Sequence, residues 1–337
     1  MHILDWNNIT GIHCGSVAIR NVINYFGVDY KEEVCFGLGC GMGFFYSRLN
    51  NSQPSEVIHL RAPNMEPNFF NNEEDIYSWK LETNSREAHN ELKKNLKLDL
   101  PVFLQTDLFY LEYYHSKIHF PGHVVVCIGF DEKKKIFFVS DTNFKEIQTV
   151  SFSDMDKARS SRAEPYPLSY NWFVVEKFEP FKNLNKKIEN SICLNSQNYV
   201  KGQSSPRGTS SLFTLLEWIE NLDKWIDLKD SQLVFRFAYQ VIAKRGSQGG
   251  GFRYIYEEFL KFAESESSKI NKLKLSNQMH NIAKLWEKSA LLMKQISDKK
   301  NRKDLVNLKK TLSNLYSLEY EYHSKVLDVL GSKKKGA

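Results

Sequence analysis

The chain has 337 residues, room for two domains, and its 42% hydrophobic and 26% charged fractions are those of an ordinary soluble globular protein. A formal net charge of +6 is a mild basic excess that demands neither nucleic acid nor a membrane surface, and no nucleic-acid-binding motif accompanies it. No apolar run approaches the ~18 residues of a spanning helix, Met1 to Trp6 lacks the basic and apolar regions of a secretory signal, and five sparse cysteines predict reduced thiols in the cytoplasm.

Ile19, Val22, Ile23 and Phe26 recur at helical spacing and predict an amphipathic helix that starts at Cys14 and ends near Phe26-Gly27. The glycine-dense stretch from Cys35 to Tyr46 predicts a tightly packed buried turn or wall. Residues 84–96 read as a helix, 101–105 as a strand, 124–130 and 136–140 as a hairpin, and 172–176 as a last strand. Ser, Asn and Gly between 190 and 211 predict a loop or linker. Helical patterns follow from Leu212, over 233–244, 252–262, 279–293 and 305–330, broken by the run Gly246 to Gly251. The tail with Lys333, Lys334 and Lys335 reads as frayed, and its lysines as solvated surface. The fold class expected is α+β, with a catalytic domain over 1–180, its first helix packed on an antiparallel sheet, and an all-α domain over 181–337.

Cys14 heads the first helix, where backbone N–H groups and the positive end of the dipole favour a thiolate, the reactive form of the residue. His123 opens one apolar strand and Asp141 closes the next, so a hairpin makes them neighbours. A thiol, a histidine base and a carboxylate to orient it form a nucleophilic constellation. Attack on an acyl carbon also needs oxyanion donors. The Cys14 N–H is one, and the Asn8 side-chain amide, six positions upstream, is the candidate second. Cys35 and Cys40 lie inside a glycine run, which is not a usual zinc setting, and no metal is expected. The Gly246–Gly251 run lacks the Gly-Lys-Ser/Thr ending of a phosphate loop.

These residues resemble the papain-like cysteine enzymes, and within them the bacteriocin-processing (C39-type) branch, through Cys14-Gly15, His123, Gly129-Phe130-Asp131 and Asp141; Asn8 stands where that family has Gln. Residues 13–21 and 35–44 are similar to the amino-terminal domain of the butirosin-biosynthesis H (BtrH-like) acyltransferases, and Arg245 to Tyr256 to the helical domain that accompanies it. The amide synthase of closthioamide-type assembly is a similar case. The resemblance covers nearly the whole chain. It implies transfer of an acyl group from the phosphopantetheine thioester of an acyl or peptidyl carrier protein to Cys14, then to a small amine acceptor, in antibiotic biosynthesis. No cofactor beyond the carrier-borne phosphopantetheine is implied. Phe44 and Tyr46, with Phe45, Tyr110, Tyr113 and Tyr114, are candidates to line an acyl tunnel. Arg245 and Arg253 are candidates to meet a phosphopantetheine phosphate or an acidic carrier surface, with their loop covering the site against water. The alternative is a C39-like peptidase or thioesterase of the same chemistry; a homodimer stays open.

Overall fold

The computed structural model describes residues 1–50, 52–72, 75–205 and 208–331; the lysine tail lies outside the described residues. The fold is α+β, with an antiparallel sheet in the first part and a helical second part. It divides into two compact units, Met1–Cys35 with Glu66–Pro180 and Phe36–Met65 with the chain from Phe181 onward. Residues 36–65 therefore group with the helices, and the units do not separate at a single point near residue 180.

The first unit is built on a sheet of strand order Gln148–Ser151, Ile136–Ser140, His123–Asp131, Val102–Thr106, Trp172–Val174; His2–Ile3 pairs with the far end of the central strand. Neighbours are antiparallel throughout. His123–Asp131 is buried at every position, which explains its near-continuous apolar sequence. The Cys14–Tyr25 helix packs against this strand. The helices Ser85–Lys97 and Phe152–Ser160 supply Leu92, Leu96, Met155 and Ala158 to a buried cluster with Val102, Leu104, Val125, Cys127 and Phe137. Asn84 caps the first of these by accepting from the N–H groups of Arg86 and Glu87.

In the second unit a hairpin of Met42–Arg48 and Glu56–Arg61 is held among helices. Phe44 packs on Trp218 and Trp286, with centroids 5.1 and 5.8 Å away. Asn195 brackets the edge of the hairpin, accepting from Met42 N at 3.2 Å and donating to Met42 O at 2.8 Å. That asparagine belongs to an 18-residue helix, Leu184–Lys201, where the sequence predicted a linker. The buried face of this helix, Ile188, Ser191, Ile192, Asn195, Ser196 and Tyr199, is half polar, so its period hides in a composition that reads as loop. The glycine run turns the chain from Ser231–Ala243 into Arg253–Glu266. Gly251 has φ +58°, and a Cβ there would stand 2.3 Å from Leu60 Cδ2.

Candidate active site

Cys14 is the first residue of its helix, and the loop before it is fastened by a buried carboxylate. Glu32 accepts from the N–H of Ile12 at 3.0 Å, the N–H of His13 at 2.8 Å and the hydroxyl of Ser16 at 3.0 Å. Gly11 is required for this approach, because a Cβ there would lie 2.2 Å from Glu32 Oε2. His13 caps the helix through Nδ1, which accepts from Ser16 N at 3.2 Å. That bond uses the Nδ1 lone pair as the cap acceptor.

His123 and Asp141 meet at the end of the hairpin, 5% and 2% exposed. His123 Nε2 lies 2.9 Å from both Asp141 oxygens, and the Cys14 side chain hydrogen-bonds the same imidazole. With Nε2 on the carboxylate, Nδ1 is the nitrogen left for sulfur. Burial alone would discharge His123, but the Asp141 carboxylate and the hydrogen-bonded Cys14 sulfur outweigh it and lift the imidazole to about 10. The balance favours the imidazolium form of His123. Cys14 is partly exposed. Burial holds Cys40 and Cys127 at about 12, Cys35 well above an ordinary thiol, and Cys193 raised as well; those four stay protonated.

The Asn8 side chain is engaged with the segment around Asp141. Its amide nitrogen donates to Phe144 O at 2.5 Å and Lys145 O at 3.3 Å, while its oxygen accepts from Ser140 Oγ and, at 3.4 Å, from Asn21. The shorter side chain is thereby spent on tying the segment before Cys14 to the turn after Asp141. Gly11 N donates to Thr142 O at 3.1 Å and completes this stitch.

Phe44, Tyr46, Arg245 and Arg253 all belong to the second unit. Phe44 is fully buried against the two tryptophans. The Tyr46 hydroxyl donates to the buried Glu56 carboxylate, which also accepts from Trp225 Nε1 at 2.7 Å. Arg253 is 0% exposed, and all its guanidinium nitrogens are engaged: Glu319 at 2.9 and 3.1 Å, Tyr199 at 3.3 Å, and the carbonyls of Gly43, Leu60 and Gly251 at 3.2, 3.1 and 2.9 Å. This arginine locks the hairpin to the helices in place of the phosphate-facing position expected of it. Arg245 is half-buried, bonded to Gln240 at 3.0 Å and lying over the Phe237 ring.

Sequence reasoning assigned Tyr113 and Tyr114 to a tunnel wall, but the structure puts both hydroxyls on Asp141, at 2.8 and 3.0 Å. Two adjacent tyrosines before the histidine strand were the available signal; where their hydroxyls point depends on the folded loop.

Among the described residues no group of three or more His, Cys, Asp or Glu side chains is arranged to hold a metal, and no helix is long and apolar enough to cross a membrane. The family described as butirosin biosynthesis protein H, N-terminal, matches residues 13–142, and the domain of unknown function DUF4872 matches residues 153–326. No curated protein is significantly similar to the chain.

Proposed function

The chain belongs to the butirosin biosynthesis protein H-like family, and we propose that it is a thiol-dependent acyltransferase that makes an amide in antibiotic assembly. The observation that carries this reading is the meeting of Cys14, His123 and Asp141, with the imidazole between sulfur and carboxylate. The thiolate attacks the carbonyl of an acyl thioester on the phosphopantetheine of a carrier protein. A new carbon–sulfur bond forms to Cys14, the bond to the pantetheine sulfur breaks, and the imidazolium proton of His123 leaves with the carrier thiol. Exchange of one thioester for another is close to thermoneutral. An amine then attacks the acyl-Cys14 carbon, neutral His123 takes its proton, and the thiolate leaves to restore the ion pair. Backbone N–H groups at the start of the Cys14 helix support the oxyanion in each step. Asp141 holds the imidazole orientation.

Incubation with acyl-pantetheine or acyl-carrier thioesters and a panel of small amines, read by mass, tests the reading. Amide that depends on Cys14 supports it. Free acid alone, with every amine ignored, assigns a thioesterase, and cleavage of peptides assigns a peptidase.

A further inference from the structure

Resting on that reading, we infer that Tyr113 and Tyr114 are positioning residues that share the Asp141 carboxylate with His123 and thereby keep His123 able to release its proton. Asp141 is almost wholly buried, and five contacts converge on its two oxygens. His123 Nε2 lies 2.9 Å from each, Tyr113 donates to Oδ2 at 2.8 Å, Tyr114 to Oδ1 at 3.0 Å, and Thr142 N to Oδ1 at 2.6 Å. A buried carboxylate facing only an imidazolium would hold that charge strongly. Aminolysis needs the opposite at one moment, because His123 must be neutral to take the amine proton. Two phenol donors spread the carboxylate charge and weaken its hold on the imidazolium. The phenols stay protonated donors, since burial, and then the Asp141 charge, raise both well above an ordinary tyrosine.

The loop that carries the pair is fixed for this task. Its base is pinned by the fully buried Asp107, which accepts from Phe109 N at 3.1 Å, Phe120 N at 2.9 Å and Ser161 Oγ at 2.6 Å and meets His119 Nδ1 at 2.7 Å. The Tyr114 ring stands edge-on to His123, centroids 5.4 Å apart, and both tyrosines stand edge-on to Phe144. Asn143 donates to the Tyr114 hydroxyl at 3.3 Å. Among the described residues, the titratable groups facing His123 are Asp141, Cys14 and Tyr114, whose hydroxyl lies 3.4 Å from Nε2, and those facing Asp141 are His123, Tyr113 and Tyr114.

The test is the rate of Cys14 alkylation by iodoacetamide against pH, located by peptide mapping, in the full chain and in Tyr113→Phe and Tyr114→Phe. Phenylalanine keeps each ring and its packing, and a thermal melt of each variant verifies the fold. A thiolate paired with an imidazolium reacts already at acid pH, then faster once His123 loses its proton. We expect that upper inflection to move up by about one pH unit in Tyr113→Phe, which removes the hydroxyl that donates to Asp141, the size of shift that loss of one hydrogen bond to a charge produces; Tyr114→Phe should move it up less, because the Tyr114 hydroxyl also lies 3.4 Å from His123 Nε2. Amide formation at neutral pH should fall about ten-fold, with a smaller loss in Cys14 acylation. An upper inflection that stays put or moves down in Tyr113→Phe overturns the assignment of the tyrosines and leaves the thiol mechanism standing. A parent profile with one ordinary thiol titration overturns both.

Discussion

At the scale of single residues, the proposed chemistry rests on one cysteine of five. Cys14→Ala should abolish turnover and acyl capture, a loss of at least about 10³-fold for a covalent nucleophile. Single alanine variants of Cys35, Cys40, Cys127 and Cys193 should keep turnover, with a stability loss at the buried sites, read by steady-state assay beside a thermal melt. Asn8→Ala makes a second distinction. As a stitch, Asn8 should cost about 1–3 kcal/mol of stability through the carbonyls and hydroxyl it leaves unpaired. As an oxyanion donor it would instead cost about 10²–10³-fold in turnover with the fold unharmed. Denaturant titration and kinetics on the same variant decide between the two. Chain order and element ends were enough to predict that Cys14, His123 and Asp141 meet. The direction of the Asn8 amide was not, because six positions along an irregular segment fix no orientation. Tyr113 and Tyr114 were hidden for a similar reason: an aromatic with one polar atom suits a tunnel wall as well as a carboxylate.

At the scale of elements, the buried ion pair of Arg253 and Glu319 fixes the Met42–Arg48 hairpin to its helices. Glu319 also accepts from Trp286 Nε1 at 2.8 Å. Glu319→Gln removes the countercharge of a guanidinium with no access to water, and urea unfolding should register about 3–5 kcal/mol of lost stability. In the same interior, burial drives His323 down to about 3. The unfolded chain binds its proton near the ordinary value of about 6.5, the folded chain only near 3, so the unfolded state takes up more protons between those values. Stability should therefore decline as pH falls through that window, and His323→Gln should flatten the decline in thermal melts between pH 6.5 and 4. Elements with strong periodicity were readable: the Cys14 helix, the 123–140 hairpin, and the helices after Leu212. Phe152–Ser160 was not, because it is short and charged, nor was Leu184–Lys201, whose buried face is rich in Ser and Asn.

At the scale of the whole molecule, the two compact units interleave in sequence, since residues 36–65 leave the first and join the second. Nothing local in a glycine-rich hairpin says which partner completes it; Arg253, nearly two hundred residues later, does. A fragment ending at residue 180 carries this hairpin without Trp218, Trp286 and Arg253. It should be poorly soluble or lack a cooperative melt, whereas a fragment that folds like the parent would contradict the division. The family models meet near residues 142–153, inside the first unit, so boundaries drawn from sequence and from packing differ here.

The proposed function stands or falls with Cys14 as the carrier of the acyl group between donor and amine. Intact-mass measurement after brief exposure to an acyl-carrier thioester, followed by peptide mapping, tests it directly. The expected result is one acyl group on Cys14 that disappears on adding a competent amine, with amide appearing in equal amount. Amide formed at the parent rate by Cys14→Ala, or acylation mapped to another residue, would contradict it.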